Sequence, residues 1–266
     1  MVPVWCQKAD NNDQSPYTYM FIDWLIGELG TPGEYQYQAI HLISTGVVLL
    51  VLALVIFLGR SRRITDKGKR IILRGIAIFQ LVFEVTWRLI YLFVKKDDIV
   101  CWWPMYPCNL GGIILPIIAL TNWTTGKKMF YLFGFIGAVL TFALPEGIFC
   151  RDVMVFPILK SVLQHTGLLM IPCFEHAAKF YRHNIKDYPW TILGCLIHLF
   201  NCEVIDRWLG FEGDYMFLRS GLPFVIPGVP GFVVTVPFAI LVMAILSYLS
   251  DIKASNQFFL KKKTAK

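Results

Sequence analysis

Cys108 and His165 are the pair whose side chains could carry covalent chemistry together. A thiolate is the reactive form of cysteine and needs a base or a positive field to form at neutral pH. His165 could supply the base. Arg88 could stabilise an oxyanion or hold a lipid phosphate. Glu84 lies one helical turn before Arg88, and Gln80 one turn before Glu84, so all three share a helix face. Asn109, His198 and Asn201 add polar groups of the kind that bind a substrate. Each has a plainer reading. Glu84 with Arg88 could be a packing pair, Cys108 a small filler, and His165, His198 and Asn201 interhelical hydrogen-bonding residues. Cys, His and Glu are also metal-ligand types, but no HExxH or close Cys/His spacing supports a metal, and no cofactor is implied.

The segments that carry these residues are strongly apolar. Hydrophobic residues make up 56% of the 266 and charged residues 16%, against about 45–50% and about 25% in soluble domains. Mean hydropathy is +0.57. A disordered, collagen-like or nucleic-acid-coating chain is excluded. Seven stretches approach the roughly 20 apolar residues of a membrane span: 39–58, 71–94, 105–123, 129–144, 153–173, 188–205 and 232–249. The expected fold is all-α, a polytopic bundle of about seven transmembrane helices. Residues 17–29 are apolar but too short to span, and are expected at the interface or folded against the bundle.

The net charge of +7 sits mostly between these stretches. Arg60, Arg62, Arg63, Lys67, Lys69 and Arg70 follow the first, and the tail ends in Lys261, Lys262, Lys263 and Lys266. Basic loops stay cytoplasmic, which puts the N-terminus outside and the C-terminus inside. With that orientation, Gln80, Glu84, Arg88, Cys108, Asn109, Gln164, His165, His198, Asn201 and Glu203 all fall in the outer half of the membrane. Ionisable groups at such depth tend to line a cavity or face one another. The expectation is a polar cavity in the outer half. The inner half shows only Arg74, Glu175 and His176 near the boundary, where snorkelling would suffice. Cys6, Cys101 and Cys150 fall on the outer side, where a disulfide is chemically allowed but its pairing is open. The domain reading is an extracytoplasmic segment over 1–38, the bundle over 39–249 and a basic cytoplasmic tail over 250–266.

Several motifs resemble those of the YwaF-like integral membrane proteins of bacteria, related to vertebrate transmembrane protein 164. They are Glu84 with Trp87; Tyr106-Pro107-Cys108-Asn109-Leu110 followed by Leu115-Pro116; Phe133-Gly134-Phe135-Ile136-Gly137-Ala138 running to Leu144-Pro145-Glu146; His165-Thr166-Gly167-Leu168-Leu169; and Gly213-Asp214-Tyr215-Met216-Phe217-Leu218. Asp214 stands where the family has Asn. Asn109-Leu110-Gly111 occupies the slots that bacterial relatives fill with His-Leu-Cys. The resemblance implies a seven-helix fold with a buried site and, by analogy with vertebrate relatives, fatty-acyl transfer on phospholipids through a Cys/His pair.

The resulting reading is a multi-pass protein of the cell membrane, in the bacterial plasma membrane, that acts as a thiol-dependent lipid acyltransferase or lipase. Its catalytic residues would be Cys108 and His165. Glu84, Arg88, Asn109, His198, Asn201, Asp214 and Tyr215 would bind substrate. Its partners would be membrane lipids, with an acyl-lipid or small polar substrate and no nucleic acid. The alternative is a small-solute transporter or substrate-binding membrane subunit, for which the expected inverted repeat is not visible. A purely structural role is the third reading.

Overall fold

A computed structural model describes residues 16–94, 103–104, 106–145, 147–205, 208–210, 233, 236–246 and 248. The described chain is helical: α1 (Pro16–Ile26), α2 (Ala39–Arg60), α3 (Asp66–Val94), α4 (Pro107–Thr121), α5 (Thr124–Ala143), α6 (Phe156–Ala177), α7 (Tyr188–Phe200) and the short α8 (Val236–Leu246). Among the described residues the only β pairing is an isolated bridge between Pro32 and Arg151.

Among the described residues, four helical stretches are long and apolar enough to cross a membrane: Ala39–Arg60, Asp66–Val94, Thr124–Ala143 and Ile185–Ile205. The last combines a 3-10 turn, α7 and a π turn over Asn201–Ile205. α4 and α8 are apolar but shorter. α2 shows why the bundle suits lipid. Leu42, Ile43, Leu49, Leu50, Leu54 and Phe57 point outward, while His41, Ser44, Val48, Val55 and Gly59 are buried. α3 is built the same way. Its buried stripe is Leu73, Ala77, Gln80, Glu84 and Trp87, and its exposed face carries Ile78, Phe79, Val82, Val85 and Leu89. Polar groups turned in and aliphatic groups turned out is the reverse of a water-soluble amphipathic helix.

α6 is the central post. It packs against α1, α2, α3, α4 and α5. It falls outside the four apolar spans because it carries Lys160, Gln164, His165 and Glu175. Burial by neighbouring helices, not by lipid, makes those residues tolerable there. Gly59 of α2 meets Ala177 and Phe174 of α6 so closely that a methyl group would lie 2.8 Å from the Ala177 side chain. α2 and α6 therefore end together. Here the end of the bundle where α4 and α6 begin is termed the upper end, and the end where α2 and α6 finish the lower end.

The upper end is closed by a clasp. The Gly33 and Tyr35 amides donate to the Cys150 and Phe149 carbonyls at 3.1 and 2.9 Å. The Trp24 indole donates to the Met154 carbonyl at 2.9 Å, and the Thr31 amide to Asp152 Oδ1 at 2.7 Å. Of the two places expected for the segment over 17–29, at the interface or against the bundle, it takes the second as α1, packed on α6. Cys150 is disulfide-bonded, while Cys108, Cys173, Cys195 and Cys202 form no disulfide. Cys6 and Cys101 lie outside the described residues.

Candidate functional site

The upper half of the bundle holds a buried polar cluster made by three helices. α3 supplies Gln80, Glu84, Trp87 and Arg88, all on or beside its inward stripe. α4 begins with Pro107 as its first residue, so Cys108 and Asn109 lie in its first turn, where the Asn109 and Leu110 amides donate to the Tyr106 carbonyl at 3.0 and 3.1 Å. α6 supplies Lys160, Gln164 and His165.

Glu84 is fully buried. Its carboxylate accepts the Trp87 indole N–H at 2.9 Å and a long contact from Gln80 Nε2 at 3.4 Å, and Arg88 approaches it at 3.7 Å. Gly112 of α4 makes the room. A methyl group there would lie 2.6 Å from Glu84 Oε1 and 3.1 Å from Gln164 Nε2. Gln164 Nε2 donates to the Cys108 carbonyl at 3.2 Å and to Asn109 Oδ1 at 3.0 Å. Gln164 Oε1 is buried and makes no hydrogen bond. Lys160 Nζ donates to Asn109 Oδ1 at 3.2 Å and stands over the Trp87 ring at 4.0 Å. Its charge acts on Glu84, Cys108 and His165 alike.

Cys108 and His165 belong to this region but are not hydrogen-bonded to each other. The Cys108 thiol leans on Asn109 Oδ1 at 3.9 Å. His165 is the residue after Gln164 and so points about 100° around the helix. Its Nδ1 lies 2.7 Å from the Ser161 carbonyl, and its ring meets the edge of Phe142. A carbonyl cannot donate, so Nδ1 carries the proton and Nε2 keeps its lone pair. His165 is thus held in the tautomer a general base requires.

The other expected residues divide. Glu84, Arg88 and Asn109 meet in the cluster. His198 does not: it is packed between Phe130 and Phe133 of α5. Asn201 is a strut. It donates to the Pro104 carbonyl at 2.8 Å and accepts the Trp103 indole N–H at 2.9 Å, tying the lead-in of α4 to the end of α7. Asp214 and Tyr215 lie outside the described residues. Lys160 was not among the residues singled out from the sequence. Its spacing of four from Gln164 put it on the same face and was the available signal.

The expectation that the lower half would be nearly free of buried charge is overturned. Glu175 is fully buried and pairs with Lys127 of α5 at 2.6 Å. Tyr131 donates to Glu175 Oε1 at 3.0 Å, and Lys127 also reaches Asn122 Oδ1 at 2.7 Å. Tyr131 meets Tyr181 edge-on, and Tyr181 donates to Asp187 Oδ2 at 3.2 Å. Asp187 also binds Lys128 at 3.1 Å. Burial pushes the Tyr181 phenol up, and the charge of Asp187 adds to that. Burial pushes the His183 imidazole down from its ordinary value, against the pull of Asp187. Snorkelling fails as an account because partners on α5 and α6 face each other.

No curated protein and no solved structure gives a match to the chain. The family model described as the TMEM164 family matches residues 35–248, which takes in α2 to α7 and every element of both polar clusters. The buried polar faces, the outward aliphatic faces and this match agree, and the chain is a multi-pass membrane protein that belongs to the TMEM164 family.

Proposed function

We propose that the protein is a membrane-embedded lipid acyltransferase or lipase that works through Cys108. The observation that carries the reading is the position of Cys108 in the first turn of α4, within a buried cluster that also holds Lys160, Gln164 and Asn109. A helix N-terminus and a nearby ammonium both favour thiolate. The orphaned Gln164 Oε1 supports a site rather than finished packing, because buried polar atoms in a structural core are almost always satisfied.

In the proposed reaction, the Cys108 sulfur attacks the carbonyl carbon of a lipid ester. His165 Nε2 takes the thiol proton as the S–C bond forms. The tetrahedral oxyanion meets the Lys160 ammonium. When the C–O bond breaks, His165 returns the proton to the leaving alcohol, and an acyl-thioester remains on Cys108. A second alcohol then accepts the acyl group in a transferase, or water accepts it in a lipase. His165 must swing toward Cys108 for this, turning Nε2 to the thiol.

In this reading seven helices cross the cell membrane, with α8 the last, and the upper end faces outward. The Cys150 disulfide supports that side as the oxidising one. Arg60, Arg62 and Arg63 at the end of α2 support the lower end as cytoplasmic.

The test is to incubate the purified protein with a phospholipid carrying a labelled acyl chain and map the adducts. A hydroxylamine-sensitive label on Cys108 is expected. It should vanish in Cys108→Ala and fall at least about a hundredfold in His165→Ala, in the range of general-base loss. Absence of any Cys108 adduct in folded protein overturns the reading.

A further inference from the structure

A cavity of about 270 Å³ opens at the lower end, between α2, α5, α6 and α8. It is separate from the Cys108 site. Along α6, Cys173 on its wall is nine residues from Gln164, about 14 Å at the helical rise. Its walls are apolar where it enters the bundle: Leu132 and Phe135 from α5, Pro172 from α6 and Leu246 from α8. Its polar side chains are Arg60 at the end of α2, Tyr131 of α5, His176 of α6, and Tyr181 and His183 in the segment after α6. Among its described lining residues none is acidic. The carboxylates behind the lining are ion-paired, Glu175 with Lys127 and Asp187 with Lys128, and accept from the Tyr131 and Tyr181 hydroxyls.

We infer that this cavity binds a single-chain amphiphile with an anionic head, the alkyl chain lying among Leu132, Phe135 and Leu246 and the head at Arg60. Three features lead there. An apolar slot that opens on a membrane-facing bundle suits an alkyl chain. A guanidinium at the mouth, with imidazoles beside it and no acid on the lining, selects an anion over a neutral or cationic head. The volume sits just below the ~300 Å³ at which small-ligand pockets usually begin, which leaves room for one chain and not for two. Carboxylate and phosphate heads share this chemistry. The inference does not rest on the reading of Cys108.

The experiment uses the full-length protein in detergent and a dodecanoate carrying a diazirine at the chain end. After irradiation the adducts are mapped by peptide. Adducts are expected on the α5 segment around Leu132–Phe135 and the α6 segment around Pro172–Cys173. Dodecanoate and dodecyl phosphate should compete at least about tenfold better than dodecanol, and the better of the two identifies the head. Arg60→Gln should lower adduct yield about tenfold, and Leu132→Trp, which fills the slot, should remove it. Adducts spread over the outward faces, such as Leu49, Leu50 and Phe57, overturn the inference. So does equal competition by dodecanol. Both results come from the wild-type protein, so a variant that fails to fold does not rescue the idea. Acylation of Cys108 is read separately, and its loss or survival leaves this result intact.

Discussion

Glu84 and Glu175 are both fully buried carboxylates, one in each half of the bundle, and their surroundings differ in kind. Glu175 is locked to Lys127 at 2.6 Å, with Tyr131 donating to its other oxygen. Both charged partners are almost wholly excluded from solvent, and their groups close on each other. Glu84 has no such mate. Its nearest cation, Arg88, stands at 3.7 Å and remains partly exposed, and its best hydrogen bond comes from a neutral indole. Around it stand an amide oxygen with no donor, a thiol on a helix N-terminus and a lysine over an aromatic face. A closed pair fixes helix packing. In the proposed reading, a carboxylate among loosely matched groups leaves partners for a substrate.

The largest test of that contrast is Glu175→Gln against Glu84→Gln. Glu175→Gln strands the Lys127 ammonium in the core and should cost about 3–5 kcal/mol, read as a large drop in the thermal midpoint of the detergent-solubilised protein. Glu84→Gln keeps an oxygen for Trp87 and leaves Arg88 some access to solvent. It should cost about 1–3 kcal/mol while abolishing Cys108 acylation. Equal destabilisation by both would make the upper cluster another structural pair and end the distinction.

Next in size is Gly112→Ala. The added methyl would press on Glu84 Oε1 and Gln164 Nε2, and overpacking of this kind costs about 1–3 kcal/mol. Gly75→Ala, where the methyl meets nothing within 4 Å, should be neutral or stabilising by up to about 1 kcal/mol. Comparing their unfolding midpoints sharpens how tightly the upper cluster depends on α4 approaching α3.

Lys160→Met keeps the chain length and removes the charge. We expect little change in folding and at least a tenfold loss of Cys108 acylation, with partial recovery in Lys160→Arg. A Lys160→Met protein that acylates at the wild-type rate would remove Lys160 from the site.

The smallest effect lies in the clasp. The Thr31 amide and its own environment hold the Asp152 carboxyl below the usual carboxylate value. A depressed folded value means that the contact supports the clasp fully above about pH 4 and is lost as pH falls through the lower folded value. The Thr31 amide protection factor should therefore decline on acidification, and Asp152→Asn should remove that dependence. Unchanged protection at acid pH would show that the backbone pairing alone holds the clasp.

Much of this was legible in the chain because lipid imposes a simple rule on outward faces. The α2 expectation of 39–58 met Ala39–Arg60, and 71–94 fell inside Asp66–Val94. The α5 start was placed late, at 129, because Lys127 and Lys128 read as a boundary, whereas Lys127 is inside the protein, held by Glu175. α6 was placed about four residues short at its C-terminal end, where Glu175 and His176 read as boundary residues. Both misplacements come from one pair. A charge that is neutralised by a partner far away in sequence looks exposed to any local reading. The same limit hid Lys160, whose partners Asn109 and Trp87 lie on other helices. Glu84, Arg88 and Asn109 were found because charge and amide groups at membrane depth stand out by themselves. His198 stood out for the same reason and proved to be packed among aromatic rings.

The central place of α6 also has a consequence for how the protein is made. A charged residue costs about 2.5–3.5 kcal/mol at the centre of an inserting segment and less toward its ends, and α6 carries Lys160 in its second turn and Glu175 in its last. Its polar partners, Gln80 and Trp87 on α3, Cys108 and Asn109 on α4, and Lys127 and Tyr131 on α5, all precede it in the chain. When the ribosome delivers α6, the groups that neutralise it have already been synthesised. The order of the sequence supplies each costly residue with a waiting mate, so α6 joins helices that already hold its partners.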